Sequence, residues 1–419
     1  MLILFFTGNS RPLMLIMYAS SVAYAGNGIA LIVFPWLVLQ LNGSATEASL
    51  VVGATILPML ISMIAAGTIV DYFGRKRISL IADFLTAASV ASVPLISWIF
   101  GAEAINLGVL AGLAASASTF DSVGMTARKS MLPEAAARAG WSLDRTNSIY
   151  QAKLNLALIV GPGIGGVMIS VIGDITTMWI TVGLFGLSLL AIALLQLDGI
   201  GKPHRETRPT GLVSGAAEGL RFFWDLRILR TLGLIELCVA ALYLPMESVL
   251  FPKYFNQRHA STELGWVLMA LALGSLLGAI GYAAISAHLR RRVTVLTAVL
   301  SFGAGTALIA FLPPLPIILV LTAMIGLVYG PIQPIYNYVI QTRAPHHLRA
   351  RVVGAMSSLP YAAGPLGLLI AGPLADAAGL QVTFLALAIP ILVIGLVASR
   401  LPVLHELDRE AEFPVNLAA

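Results

Sequence analysis

Asp121, Lys153, Glu236 and Glu247 each sit well inside a long apolar run of the chain. A charge kept within a bilayer is costly, and where one persists it marks an ion or substrate path. A carboxyl that alternates between water and a dry interior changes its hold on a proton. These four are therefore the candidates for proton coupling. Asp121 comes first: it is flanked by Ser116, Ser118, Ser122 and Gly124, small enough to admit water. Glu247 is second, because Pro245 and Pro252 bracket it and a broken helix there would free backbone carbonyls for a proton. Lys153 has two open arrangements, snorkelling to the interface or pairing with Asp121. Glu236, nearer a span end, faces either cytoplasmic water or the path. Asp83, one turn past a basic cluster, is expected to support packing there.

The elements that carry these residues follow from composition. Of 419 residues, 58% are apolar and 11% charged, where a soluble protein carries about 25% charged residues. Runs such as "LMLIMYASSVAYAGNGIALIVFPWLVLQL" exceed the roughly 20 apolar residues that cross a bilayer. The pattern predicts twelve spans. The first six lie near 12–40, 45–70, 78–100, 103–127, 146–171 and 175–196. The second six lie near 229–251, 263–287, 293–312, 315–341, 350–375 and 380–400. The expected fold is an all-α polytopic membrane protein of two six-helix pseudo-repeat halves. Residues 1–196 form the N-terminal half, 197–228 a cytoplasmic linker with an interfacial helix, 229–401 the C-terminal half and 402–419 a cytoplasmic tail.

Charge sets the sides. With the N-terminus inside, 22 of the 25 Lys and Arg fall in cytoplasmic loops and only Lys253 and Arg258 lie outside. Both termini are thus expected in the cytoplasm, with the chain multi-pass in the inner (plasma) membrane. The same spread over every inner loop argues against nucleic acid, which needs one basic patch. "MLILFF" lacks the basic region and cleavage site of a signal peptide. A single cysteine, Cys238, permits no internal disulfide, and no metal cluster or cofactor motif occurs. There is no G-x-x-x-x-G-K-[ST] loop, H-E-x-x-H pair or G-x-S-x-G elbow, so neither an ATP-driven pump nor a hydrolase is expected.

Two glycine motifs remain. "GTIVDYFGRKR" (67–77) places Asp71 one turn before Arg75 on the cytoplasmic side, where topology explains the basic trio but not the acid. "ALIVGPGIGGVM" (157–168) fills span five with Gly161, Pro162, Gly165 and Gly166, a poor helix by propensity but suited to close helix contact. The halves echo each other: "ARKSMLPEAAARAG" precedes span five and "TRAPHHLRARVVG" precedes span eleven, each span carrying a Gly-Pro pair. Parallel repeats of this kind are a transporter architecture.

G-x-x-x-D-x-x-G-R-K-R resembles the loop 2–3 signature of the major facilitator superfamily. The resemblance implies a cytoplasmic latch at Gly67, Asp71, Gly74 and Arg75. "GYAAISAHLRRR" in the second half keeps the arginines but lacks the acid, so that half is not expected to form the same latch. G-P-x-x-G-G resembles the family's antiporter motif, which implies export. The family's cavity is lined by spans one, four, seven and ten, which points to Asn27, Gln333, Tyr336, Asn337 and Tyr338. An arginine within span four, used for proton relay by many family exporters, is absent until Arg128 at the span's end. Longer stretches, among them "LYLPMESVLFPKYF", are similar to a pump of the twelve-span drug:proton antiporter branch. That similarity implies a non-enzymatic, proton-coupled multidrug efflux transporter, acting as a monomer by alternating access, with tetracyclines and aminoglycosides among its small-molecule drugs. An exporter of one native metabolite, such as a siderophore or lipid, is the alternative within transport. A non-transporting receptor or scaffold is the alternative outside it.

Overall fold

A computed structural model of the chain describes residues 9–196, 221–285, 289–343 and 349–408. Among these it is helical, with no strand. Eleven helices are long and apolar enough to cross a membrane. The last of them, Tyr361–Ser399, bends at Gly379, where φ is 84° and helical hydrogen bonding cannot continue. Split there, it supplies spans eleven and twelve, and twelve crossings result.

The first six spans are Arg11–Asn42, Ala45–Phe73, Arg75–Phe100, Leu107–Ser130, Leu143–Ile172 and Asp174–Ala193. Span seven runs from Arg227 to Asn256 through a π-helical turn at Met246–Leu250. The Pro245–Pro252 segment is therefore a continuous helix with one widened turn, where a break was expected. Spans eight and nine are Ser261–Ile285 and Arg291–Ile309; span ten, Leu315–Ile340, joins two helices, Leu315–Tyr329 and Ile332–Arg343, at Gly330–Pro331. Many spans carry large apolar side chains outward, such as Leu57, Ile61, Leu366 and Ile370, each at least 60% exposed. In water that surface would be untenable; in hydrocarbon it is the required exterior.

The chain forms two compact units. Unit 1 comprises Met1–Arg208, Glu247–Met269 and Leu368–Asp376; unit 2 comprises Pro209–Met246, Ala270–Gly367 and Ala377–Ala419. Within unit 1, span one packs on spans five and six, span two on span four, and span three on spans four and six. Its core near the basic loops gathers Leu13, Ile16, Met17, Met131, Tyr150 and Ile192. The short helix Leu132–Ala139 closes that end. Unit 1 also takes in the ends of spans seven, eight and eleven farthest from the basic loops. In unit 2, span nine packs on span ten, and a 3₁₀ helix, Pro402–Leu407, packs against spans seven and nine.

Residues 197–220 of the expected linker, and 409–419 of the tail, lie outside the described residues. Before span seven, residues 221–225 are helical, with Phe223 buried and Trp224 partly exposed. Leu226 then turns to extended backbone.

Candidate functional site

Unit 1 buries a chain of polar groups across spans one, three, four and six. Arg128, on the last turn of span four, pairs with Asp83 of span three, and both side chains are fully buried. Ser188 of span six donates to the other oxygen of Asp83 at 2.7 Å. Arg128 also reaches Asp121, two turns back on its own helix, at 3.4 Å. Asn27 of span one donates to Asp121 at 2.7 Å. Gly124 makes room for this: a Cβ there would stand 3.1 Å from Ala82 and 3.3 Å from the guanidinium.

Two expectations change here. Asp83 does not support the loop 2–3 packing; it is the buried partner of Arg128. Asp121 is held by Asn27 and Arg128 rather than by Lys153, which is half-buried and makes no ion pair among the described residues. Arg128 read as an end-of-span topology charge, but the helix continues to Ser130 and turns its side chain inward. The small residues near Asp121 have partners. Ser122 bonds Ser62, and Ser118 donates to the Thr55 carbonyl, joining span four to span two. Ser116 is half-buried and bonds its own helix.

Unit 2 has a different buried acid. Glu236 of span seven, 6% exposed, accepts from the Tyr329 hydroxyl at 2.9 Å. Tyr336, 2% exposed, donates to the Leu232 carbonyl at 3.3 Å. Tyr243, Phe302 and Tyr329 stack edge to face, with ring centroids 5.4 and 5.5 Å apart. No cation pairs with Glu236 among the described residues. This acid is enclosed by phenols rather than open to water. Gln333 and Asn337, on the same span as Tyr336, are exposed, and Tyr338 lies under the Arg291 guanidinium at 3.8 Å. Glu247 is half-buried in the π-helical turn.

At the basic face, Gly74 has φ 94°, a conformation that costs any residue with a Cβ, and it lets span three start straight after span two. Arg75 pairs with Glu134 of the short helix. Lys76 donates to the Ala193 and Leu195 carbonyls at 3.0 and 2.7 Å, capping span six. The side chain of Asp71, like Gly67, lies outside the described residues. Unit 2 repeats the plan with another acid. Arg292 donates to the Ser399 carbonyl at 2.7 Å, capping span twelve, while its backbone N–H donates to Asp408 at 3.1 Å. A carboxylate of the C-terminal segment thus meets the first turn of span nine.

The glycines of span five form a seam with two sides. A Cβ on Gly161 would stand 2.7 Å from the Ala25 carbonyl oxygen of span one, and one on Gly165 3.2 Å from Ile29 Cα. On Gly166 it would stand 2.3 Å from the Ser261 carbonyl oxygen of span eight. Pro162 meets Gly28, where a Cβ would lie 2.9 Å from its ring.

A twelve-span bundle with buried intramembrane acids, glycine seams and paired basic clasps is the build of a secondary transporter. The model of the Major Facilitator Superfamily matches residues 16–367 and 248–415, and the chain belongs to that family. It is 65% identical over 400 residues to the multidrug efflux pump Tap of Mycobacterium tuberculosis, covering 96% of both chains. It is 59% identical over 397 residues to Tap of Mycolicibacterium fortuitum, covering 95% of this chain and 97% of that one. Among solved structures, the nucleoside transporter NupG superposes with a TM-score of 0.73 at 12% identity, covering 93% of this chain and 98% of that one. That likeness concerns the fold alone.

Proposed function

We propose that this transporter is a proton-coupled multidrug exporter of the inner membrane, with tetracyclines and aminoglycosides among its substrates. It acts as a monomer with both termini in the cytoplasm. Its halves, 1–196 and 229–401, are joined by the 197–228 linker and alternate access between the two sides. The kinship with the Tap pumps supports drug export. The asymmetry of basic residues supports the orientation.

The observation that carries proton coupling is the Asp83–Arg128–Asp121 trio. One guanidinium serves two carboxylates in a dry interior, and the trio is neutral only when one acid holds a proton. Asp83 is fully buried and held by both Arg128 and Ser188. Asp121 has the longer contact and a side chain 14% exposed, so it is the acid that exchanges. Protonation frees Arg128 from Asp121 and loosens the tie from span one through Asn27. Glu236 is the second candidate ahead of Glu247, because it is buried and no cation pairs with it among the described residues.

The test reconstitutes the transporter in liposomes with an imposed proton gradient. Asp121→Asn should abolish drug-induced proton release while drug counterflow without a gradient persists. Intact proton release in Asp121→Asn would overturn the assignment, and the same pair of assays on Glu236→Gln would then decide its claim.

A further inference from the structure

Lys253 is one of only two basic residues on the face opposite the basic loops, so the sidedness of charge gives no reason for it. Its side chain is 9% exposed and pairs with Asp376, at the end of span eleven. That carboxylate has further work. It accepts from the backbone N–H groups of Ala45 and Thr46, both at 2.9 Å. It also accepts from the hydroxyls of Ser44 at 2.9 Å and Thr46 at 2.7 Å. Asp376 thus caps the N-terminus of span two from a position 330 residues later in the chain. A carboxylate there meets free N–H groups and the positive end of the helix.

Two close approaches surround it. Gly372, one turn earlier, lies so near span two that a Cβ would stand 2.5 Å from Ser49 Oγ and 2.8 Å from the Ala45 carbonyl oxygen. The helix Phe251–Asn256, which carries Lys253, packs on span one. All of these residues belong to unit 1, although Lys253 and Asp376 come from the second half of the sequence.

We propose that Asp376, Lys253 and the first turn of span two form a latch that holds this face closed and must open in each transport cycle. The inference rests on the alternating-access reading. A helix cap is directional: it accepts N–H groups as well as a cation, so its opening gives up several charge-assisted hydrogen bonds together.

The test uses the full chain, purified in detergent, with Cys238→Ala and a reporter Ser49→Cys, which is 4% exposed beneath Gly372. Maleimide should label the reporter slowly, and Asp376→Asn should raise the rate about tenfold or more. Thr46→Val, which removes one bond and leaves both charges, should raise it by a smaller factor. The exchange Lys253→Asp with Asp376→Lys should stay fast, because a lysine cannot accept from Ala45 and Thr46. Slow labelling in Asp376→Asn or in the exchange variant would overturn the latch. Addition of tetracycline separates the two ideas. If drug shifts reporter labelling in the parent but Asp376→Asn changes nothing, the latch falls and alternating access stands. If drug shifts no variant and not the parent, alternating access falls.

Discussion

Removing Asp83 or Arg128 tests the buried network most directly. Both side chains are fully buried, and each is the other's principal counter-charge. Breaking a buried pair by deleting one partner costs about 3–5 kcal/mol, because the survivor keeps its desolvation penalty. Asp83→Asn retains shape and a partner for Ser188, so its cost isolates the charge. Arg128→Met leaves two carboxylates, Asp83 and Asp121, with only Ser188 and Asn27 to hold them. Arg128→Met should therefore lose about 3–5 kcal/mol and Asp83→Asn less, because Arg128 keeps Asp121 at 3.4 Å, while the double variant should cost far less than the sum, since it leaves no unpaired charge at residue 83. At roughly 2–4 °C per kcal/mol for a unit of 150–250 residues, a loss of that size lowers the unfolding midpoint by roughly 6–20 °C. The assay is thermal unfolding of the detergent-purified parent, both singles and the double, followed by tryptophan fluorescence. Single costs below about 1 kcal/mol, or a double equal to the sum, would refute a dry, mutually dependent pair.

Gly166→Val should abolish transport. Its Cβ would stand 2.3 Å from the Ser261 carbonyl oxygen, so spans five and eight would have to separate by about an ångström at a backbone contact. Gly112→Ala, in the open at span four, is the control, and equal transport by the two variants in liposomes would contradict the seam. In intact cells, on a Cys238→Ala background, single cysteines in the 202–210 linker should resist a membrane-impermeant thiol reagent. One at Arg258 should react, and labelling of the linker from outside would reverse the orientation.

Much of the architecture was legible in the chain itself. A backbone crossing hydrocarbon must satisfy its own hydrogen bonds, so each long apolar run had to be a helix, and runs divided by charge or glycine had to be separate spans. That rule placed the spans within a few residues of where the structure has them, and Gly379 and Gly74 mark two of the turns between them. It also singled out Asp121, Glu247 and Glu236 as acids within the spans, with Glu247 ahead of Glu236 and Glu236 left open to cytoplasmic water. Their partners could not be read this way. Asn27 meets Asp121 across 94 residues, Arg128 meets Asp83 across 45, and Asp376 caps span two across 330. Such pairings depend on which helices are neighbours and how each is rotated about its axis, and helical periodicity along one segment carries neither. The same limit made Arg128 and Lys253 look like ordinary loop charges. A long basic side chain near a span end can point to water or fold back into the bundle, and the choice depends on whether packing brings a buried carboxylate within its reach.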